Sequence, residues 1–497
     1  MVKTRAMAAA ARRPGDTALI DACRHDRRGD VAALIAGGAN VNEPKTDDSG
    51  ATPLYIACQE GHAATASMLI AAGAYVDLAM NDGWTPIYTA CENGRTDAVA
   101  ALIAAGVSVD QDCNRGFTPL YMACRSGHIE TAAVLLAAGA SVDLARFDHG
   151  GTPLIVACQY GHAEMVAALL AAGAAVNLAD CDGYTPLYVA CQNGHNETVA
   201  VLIAGGASLD QADSNGCTPL YAACEDGRAE TAAALLTAGA LVNLATSDGC
   251  TPIHMACQEG HTETVGALLA AGSLVNPTTD EGATPLHMAC QEGHSETVAV
   301  LMAAGATVDQ ADNEGYTPLY AACAGGHLDT TRLLSSYGAD RQVSPQETAE
   351  EVAAIDGHDE VVAWLVTTSQ WITPLHHLRV VDATRARALL RAGADLHAAA
   401  ASGGPTPLSL AQAMDADGQV AQGSTARLVL DAAKPWSETT HSLFPLAARA
   451  RAAVLLGVGW ELSRQERFRG EEAALFDVWR EHVVPHAVVR AGAAASD

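Results

Sequence analysis

The chain has 497 residues, 49% of them hydrophobic and 17% charged, with 28 basic residues against 57 acidic ones and a formal net charge of −29. This length suits two to four ordinary domains with a sizeable core, and the apolar content excludes a disordered acidic polymer. The shortage of Lys and Arg argues against nucleic acid and anionic membrane surfaces as partners, and no run approaches the roughly 20 apolar residues of a membrane helix.

The chain opens with Ala8 to Ala11 beside Arg12 and Arg13, a run weaker than a secretory signal. Residues 1–14 are expected to form a disordered tail on a cytoplasmic, or else nuclear, protein. From Thr17 onward a period takes over. Thr-Pro-Leu/Ile recurs with Thr at 52, 85, 118, 152, 185, 218, 251, 284 and 317, always 33 or 34 residues apart. Thr before Pro predicts a helix start, the hydroxyl capping a free N–H and Pro occupying the first helical position. Nine residues on stands a Gly, such as Gly61, Gly94 or Gly161, suited to the left-handed backbone that ends a short helix. An apolar run such as 198–203 predicts a longer second helix closed by another Gly, and segments such as 109–116 predict a hairpin finger to the next copy.

Ten regular copies fill residues 15–345, and three degenerate ones, opening at Thr348, Thr373 and Thr406, fill 346–433. A helix pair this small cannot bury its apolar face alone, but stacked copies share one core, so the predicted fold class is all-α, an α-solenoid with hairpin fingers. The motif Gly-x-Thr-Pro-Leu-(Tyr/His)-x-Ala-Cys-x-x-Gly-His, followed by Leu-Leu/Ile-x-x-Gly-Ala, closely resembles the ankyrin repeat over most of the chain.

Ten of the fourteen cysteines stand six residues after the repeat Thr (Cys23, Cys58, Cys91, Cys124, Cys158, Cys191, Cys224, Cys257, Cys290 and Cys323) and read as reduced core thiols in a reducing compartment. Cys113, Cys181, Cys217 and Cys250 fall in or beside fingers and are expected to be exposed. Eight histidines follow the turn Gly and read as a structural ladder bonding loop backbone. His254, His287 and His376 replace the Tyr of other copies, an exchange that does not suit a metal ligand. With no nucleophile elbow, phosphate loop or kinase signature, no catalytic residue, cofactor or metal is expected.

The ankyrin resemblance implies a non-catalytic, monomeric scaffold that binds a partner protein or peptide at the finger tips and on the exposed face of the first helices. Carried onto this sequence, those positions are Asp48 and Glu60; Asp82, Trp84, Glu92 and Asn93; Arg115, Phe117 and Arg125; Phe147, Asp148 and Tyr160; Asp182, Tyr184 and Asn193. Further on they are Glu225, Asp226, Asp248, Glu259, Asp280, Glu281, Glu292, Glu314 and Tyr316. Acidic residues dominate this concave face and aromatics are spaced along it, a pattern suited to a basic partner gripped by ring anchors. The whole charge excess lies before Thr373, since residues 373–497 hold 13 basic and 13 acidic residues.

Residues 434–497 predict a helical cap on the last repeat, with Phe444, Trp460, Phe468, Phe476 and Trp479 as apolar contacts. Ser442-Leu-Phe-Pro-Leu-Ala-Ala-Arg-Ala-Arg resembles the start of a SOCS box, which implies an alternative role as the substrate-recognition subunit of a ubiquitin ligase. Phe444-Pro445 departs from that pattern, and no second half of the box follows.

Overall fold

The structure, a computed structural model, describes residues 15–47, 49–111, 113, 116–146, 149–369, 371, 373–400, 403–434, 440–444, 448–449 and 452. The expected N-terminal tail and almost all of the expected C-terminal cap lie outside them. Among the described residues the chain is all-helical, with short and slightly longer helices alternating in pairs and a single isolated bridge, Gln342 with Thr348, in place of any strand. No described helix is long and apolar enough to cross a membrane.

One copy shows why each pair forms. Thr185 holds extended backbone, its hydroxyl accepts the Tyr188 amide at 3.1 Å, and the first helix runs Pro186–Gln192. The second runs Asn196–Ala204. Leu187, Ala190 and Cys191 of the first helix, and Val199 and Leu202 of the second, are at most 1% exposed, so the pair's apolar stripe is spent entirely on its neighbours. Gly161, in the turn of the preceding copy, has φ 71°, and a Cβ there would stand 2.6 Å from Nδ1 of His195. Both backbone conformation and the ring of the next copy demand glycine.

Two side-chain ladders tie neighbouring regular copies within each unit. In the first, the Nε2–H of His62, His128, His195, His294 and His327 donates to the carbonyl of Arg24, Glu92, Gln159, Gln258 and Gln291 respectively, at 2.8 to 3.0 Å. A carbonyl can only accept, so these rings carry their proton at Nε2. Where the ladder position is Arg, the guanidinium substitutes: Arg95 Nε donates to Gln59 O at 3.1 Å and Arg228 Nε to Gln192 O at 3.2 Å. In the second ladder, an Asp or Asn after the second helix accepts a backbone amide of the following copy: Asp110 from Ser141 and Asn177 from Ser208, both at 2.8 Å, and Asn276 from Thr307 at 3.0 Å. The histidine ladder was legible in the sequence; the Asp/Asn ladder was not.

The fingers are turns closed by backbone bonds and an Asp side chain. Asp180 N–H donates to Tyr184 O at 3.1 Å while its carboxylate accepts the Asp182 and Tyr184 amides at 3.1 and 2.9 Å. Asp213 and Asp312 hold their fingers the same way. Adjacent fingers are joined through backbone, Ser214 N–H to Asp182 O at 3.1 Å and Asn313 N–H to Glu281 O at 3.0 Å.

The chain divides into two compact units, Met1–Ala256 with Glu263–Ser273, and Cys257–Thr262 with Leu274–Asp497. The first contains regular copies throughout. In the second, the pattern erodes for readable reasons. The Thr348 copy keeps both helices, Ala349–Ile355 and Asp359–Thr367, under a capping box with Glu351. At Thr373 the turn Gly is replaced by Asp382, and the first helix shrinks to a 3-10 turn, Pro374–His376. Asp382 instead caps the next helix, Ala383–Arg391, accepting the Thr384 and Arg385 amides at 2.7 and 2.9 Å. Pro407–Ala416 and Thr425–Ala433 complete a separate core around Leu375, Leu378, Leu390, Leu396 and Val429. Arg385 fastens this region to the regular part of its unit, donating to Ser336 O at 2.8 Å with its guanidinium 3.3 Å from the Tyr337 ring centre.

Candidate functional site

The positions assigned to partner binding fall at the ends of first helices and in fingers. Asp82, Asn93, Arg125, Tyr160, Asp182, Asn193, Glu225, Asp226, Asp248, Glu259, Asp280, Glu281, Glu292 and Glu314 are exposed. Glu60, Trp84, Glu92, Phe117, Tyr184 and Tyr316 are half-buried. Asp48, Arg115, Phe147 and Asp148 lie outside the described residues.

Several of these side chains are already engaged. Asn93 and Asn193 cap their own first helices, donating to Thr89 O at 2.7 Å and Val189 O at 2.8 Å. Glu60 accepts Arg24 at 3.1 Å. The Thr246 hydroxyl holds the Asp248 carboxyl below the usual range, whereas burial raises Glu92. The aromatics are packed as well: each lies on the ring that opens the next first helix, Trp84 on Tyr88 at 4.5 Å, Tyr184 on Tyr188 at 4.7 Å and Tyr316 on Tyr320 at 4.2 Å. Burial pushes the Tyr88 and Tyr188 phenols well up.

Four of the assigned residues meet in one place. Trp84, Phe117, Arg125 and Tyr160 help line a cavity of about 370 Å3 in the first unit, together with Tyr88, Tyr121, Arg146 and Gln159. The Arg146 guanidinium sits 4.1 Å from the Phe117 ring centre and that of Arg125 5.9 Å from the Tyr160 ring centre. Arg146 escaped the sequence reading; its signal was a cation in the finger of an acidic chain. A larger cavity of about 770 Å3 in the second unit, lined in part by Trp364, Trp371, His377, Leu378 and Met414, had no sequence signal, because it forms where the period fails. There His377 is 3% exposed with no partner for Nδ1 among the described residues, and burial, aided by nearby His376, Arg341 and Arg385, holds its imidazole down to about 4.

The cysteines correct one expectation. The ten repeat thiols are fully buried, and burial pushes Cys23 and Cys323 up to about 12. Of the four finger cysteines, however, only Cys181 is exposed; Cys113 and Cys250 are buried and Cys217 is intermediate. Cys217 and Cys250 stand immediately before the Thr of a first helix, in the layer of rings that opens it, with the Tyr221 hydroxyl 3.9 Å from Cys250 Sγ, whereas Cys113 lies within its finger, its amide donating to Phe117 O at 3.1 Å.

The histidines that replace Tyr are helix caps. His287 Nδ1 accepts the Thr284 amide at 3.1 Å and its Nε2–H donates to Tyr316 O at 3.0 Å. His376 repeats this with Thr373 at 3.3 Å and Pro405 O at 3.1 Å. Both ring nitrogens are occupied in the neutral form, and burial lowers both imidazoles.

No curated protein matches the chain. The family model for ankyrin repeats, three copies long, matches in overlapping stretches 6–80, 72–148, 145–213, 201–279, 235–312, 272–344 and 306–373. Together with the capped helix pairs and glycine turns, this match over most of the length places the chain in the ankyrin-repeat family, whose repeats serve generally as non-catalytic protein–protein interaction modules.

Proposed function

We propose that this chain is a non-catalytic scaffold that binds a protein or peptide along the face made by its fingers and first helices, with a preference for basic segments. The observation that carries the reading is charge: the exposed ends of the first helices and the finger tips present Asp82, Asp182, Glu225, Asp226, Glu259, Asp280, Glu281, Glu292 and Glu314. Such a surface raises the encounter rate of a cationic partner and makes it salt-dependent. Residues 15–345 would form the regular array, with 346–433 as its eroded end and 434–497 as a cap. The ten repeat thiols, all buried as small apolar side chains at one helix position, support a reducing compartment.

The test uses the full chain against a set of basic peptides at low and high salt, beside the variant Glu225→Lys with Asp226→Lys. Binding that weakens roughly tenfold on charge reversal and falls with added salt supports the reading. Partners that bind equally to both chains and ignore salt overturn it.

A further inference from the structure

The pocket around Phe117 does not share the chemistry of the face it interrupts. In a chain with 28 basic residues against 57 acidic ones, it brings two guanidinia together among rings. Arg125 has no carboxylate within ion-pair distance among the described residues; its Nε points instead to the Tyr160 hydroxyl at 3.4 Å. Arg146 is held face-on to Phe117. A guanidinium keeps its charge at every relevant pH, is weakly hydrated, and has planar N–H donors whose geometry matches phosphate or carboxylate oxygens.

The rest of the lining agrees. Trp84, Phe117 and Tyr121 run ring to ring through Tyr88, with centres 4.5, 6.4 and 5.2 Å apart along the series. Trp84 Nε1–H and the hydroxyl of Tyr88, itself 2% exposed, have no partner among the described residues, so two donors in this lining lack acceptors. A volume of about 370 Å3 falls in the range of small-ligand sites, roughly 300 to 1,000 Å3.

We propose that this pocket binds an aromatic ring bearing an oxyanion, an aryl phosphate or aryl carboxylate, the ring lying among Trp84, Phe117 and Tyr160 and the anion facing Arg125 and Arg146. Such a group reaches the pocket either as a phosphotyrosine side chain on a peptide or as a free small molecule. The inference is independent of the acidic-face reading, because an aryl phosphate contains no basic residue and tests the pocket alone.

Calorimetric titration of the full chain decides it with four probes: phenyl phosphate, a phosphotyrosine peptide, the same peptide with plain tyrosine, and a phosphoserine peptide. The expected result is binding of the first two and at least tenfold weaker binding of the last two. Phenyl phosphate binding as tightly as the phosphopeptide identifies a small-molecule site; a large gain from the peptide identifies a protein ligand. Arg125→Gln, at an exposed position, should weaken both ligands at least tenfold while leaving the urea midpoint unchanged, and Arg146→Gln should do the same to affinity. Absence of binding by both aryl phosphates, equal binding of the tyrosine and phosphotyrosine peptides, or full affinity in Arg125→Gln overturns the proposal.

Discussion

His195 and Gln159 illustrate how much one side chain does in a repeated fold. The ring donates to the carbonyl that ends the preceding first helix and lies over Gly161, so it joins two copies and closes one turn. His195→Ala should cost about 1 kcal/mol, the net value of a hydrogen bond, whereas His195→Arg should be nearly neutral because Arg95 and Arg228 make the same contact naturally. Urea unfolding of the two variants checks the contrast. His377 gives a pH signature instead. Its folded value lies near 4, below the ordinary 6.5, so the unfolded chain binds that proton more tightly. The contribution of this one group is therefore lost as pH falls from about 6.5 towards 4, a total of about 3 kcal/mol. Unfolding measured at pH 7.5, 5.5 and 4 should show the decline, and His377→Gln should reduce it. Thiol labelling offers a third residue-level check: Cys181 should react first in the native chain and the ten repeat cysteines only on unfolding.

Among the helices, the caps separate copies that look identical in sequence. Thr185 caps Tyr188, while Thr85 makes no side-chain cap bond. Thr185→Ala should cost about 1 kcal/mol and Thr85→Ala clearly less, measured by the shift in urea midpoint. The helix pairs themselves were legible because Thr-Pro and Gly fix both ends of every first helix. The half-buried aromatics of the candidate site were harder to read. Trp84, Tyr184 and Tyr316 looked like anchors for a partner, but a ring four residues before another at a helix start packs against it, edge-on for Trp84 and stacked for the two tyrosines, and only coordinates reveal that pairing. The finger cysteines misled for a related reason. Cys217 and Cys250, next to Thr-Pro, pack into the ring layer at the helix start, which local polarity does not announce.

For the molecule as a whole, the regular copies are interchangeable parts. Deleting residues 185–217, one full period, brings Thr218 to the place of Thr185 and Arg228 to that of His195, where it can donate to Gln159 O as Arg95 does to Gln59. That chain should remain folded, with unchanged helicity per residue by circular dichroism and a modest loss of stability. Complete unfolding would contradict it. The period was plain in the sequence as far as Thr348. Beyond it, Asp382 in place of the turn Gly and the long helix Pro407–Ala416 produced a local core and a cavity that no repeat arithmetic contains.

The two ladders join positions 31 to 38 residues apart and none farther. Contacts this local are met early as a chain leaves the ribosome: each new pair of helices finds its partner already made and waiting just upstream. Loop-closure entropy is then nearly the same for the ninth copy as for the second, and growth in length adds little to the time needed to fold. A lineage can lengthen such a protein by duplicating a period without making it slower to mature.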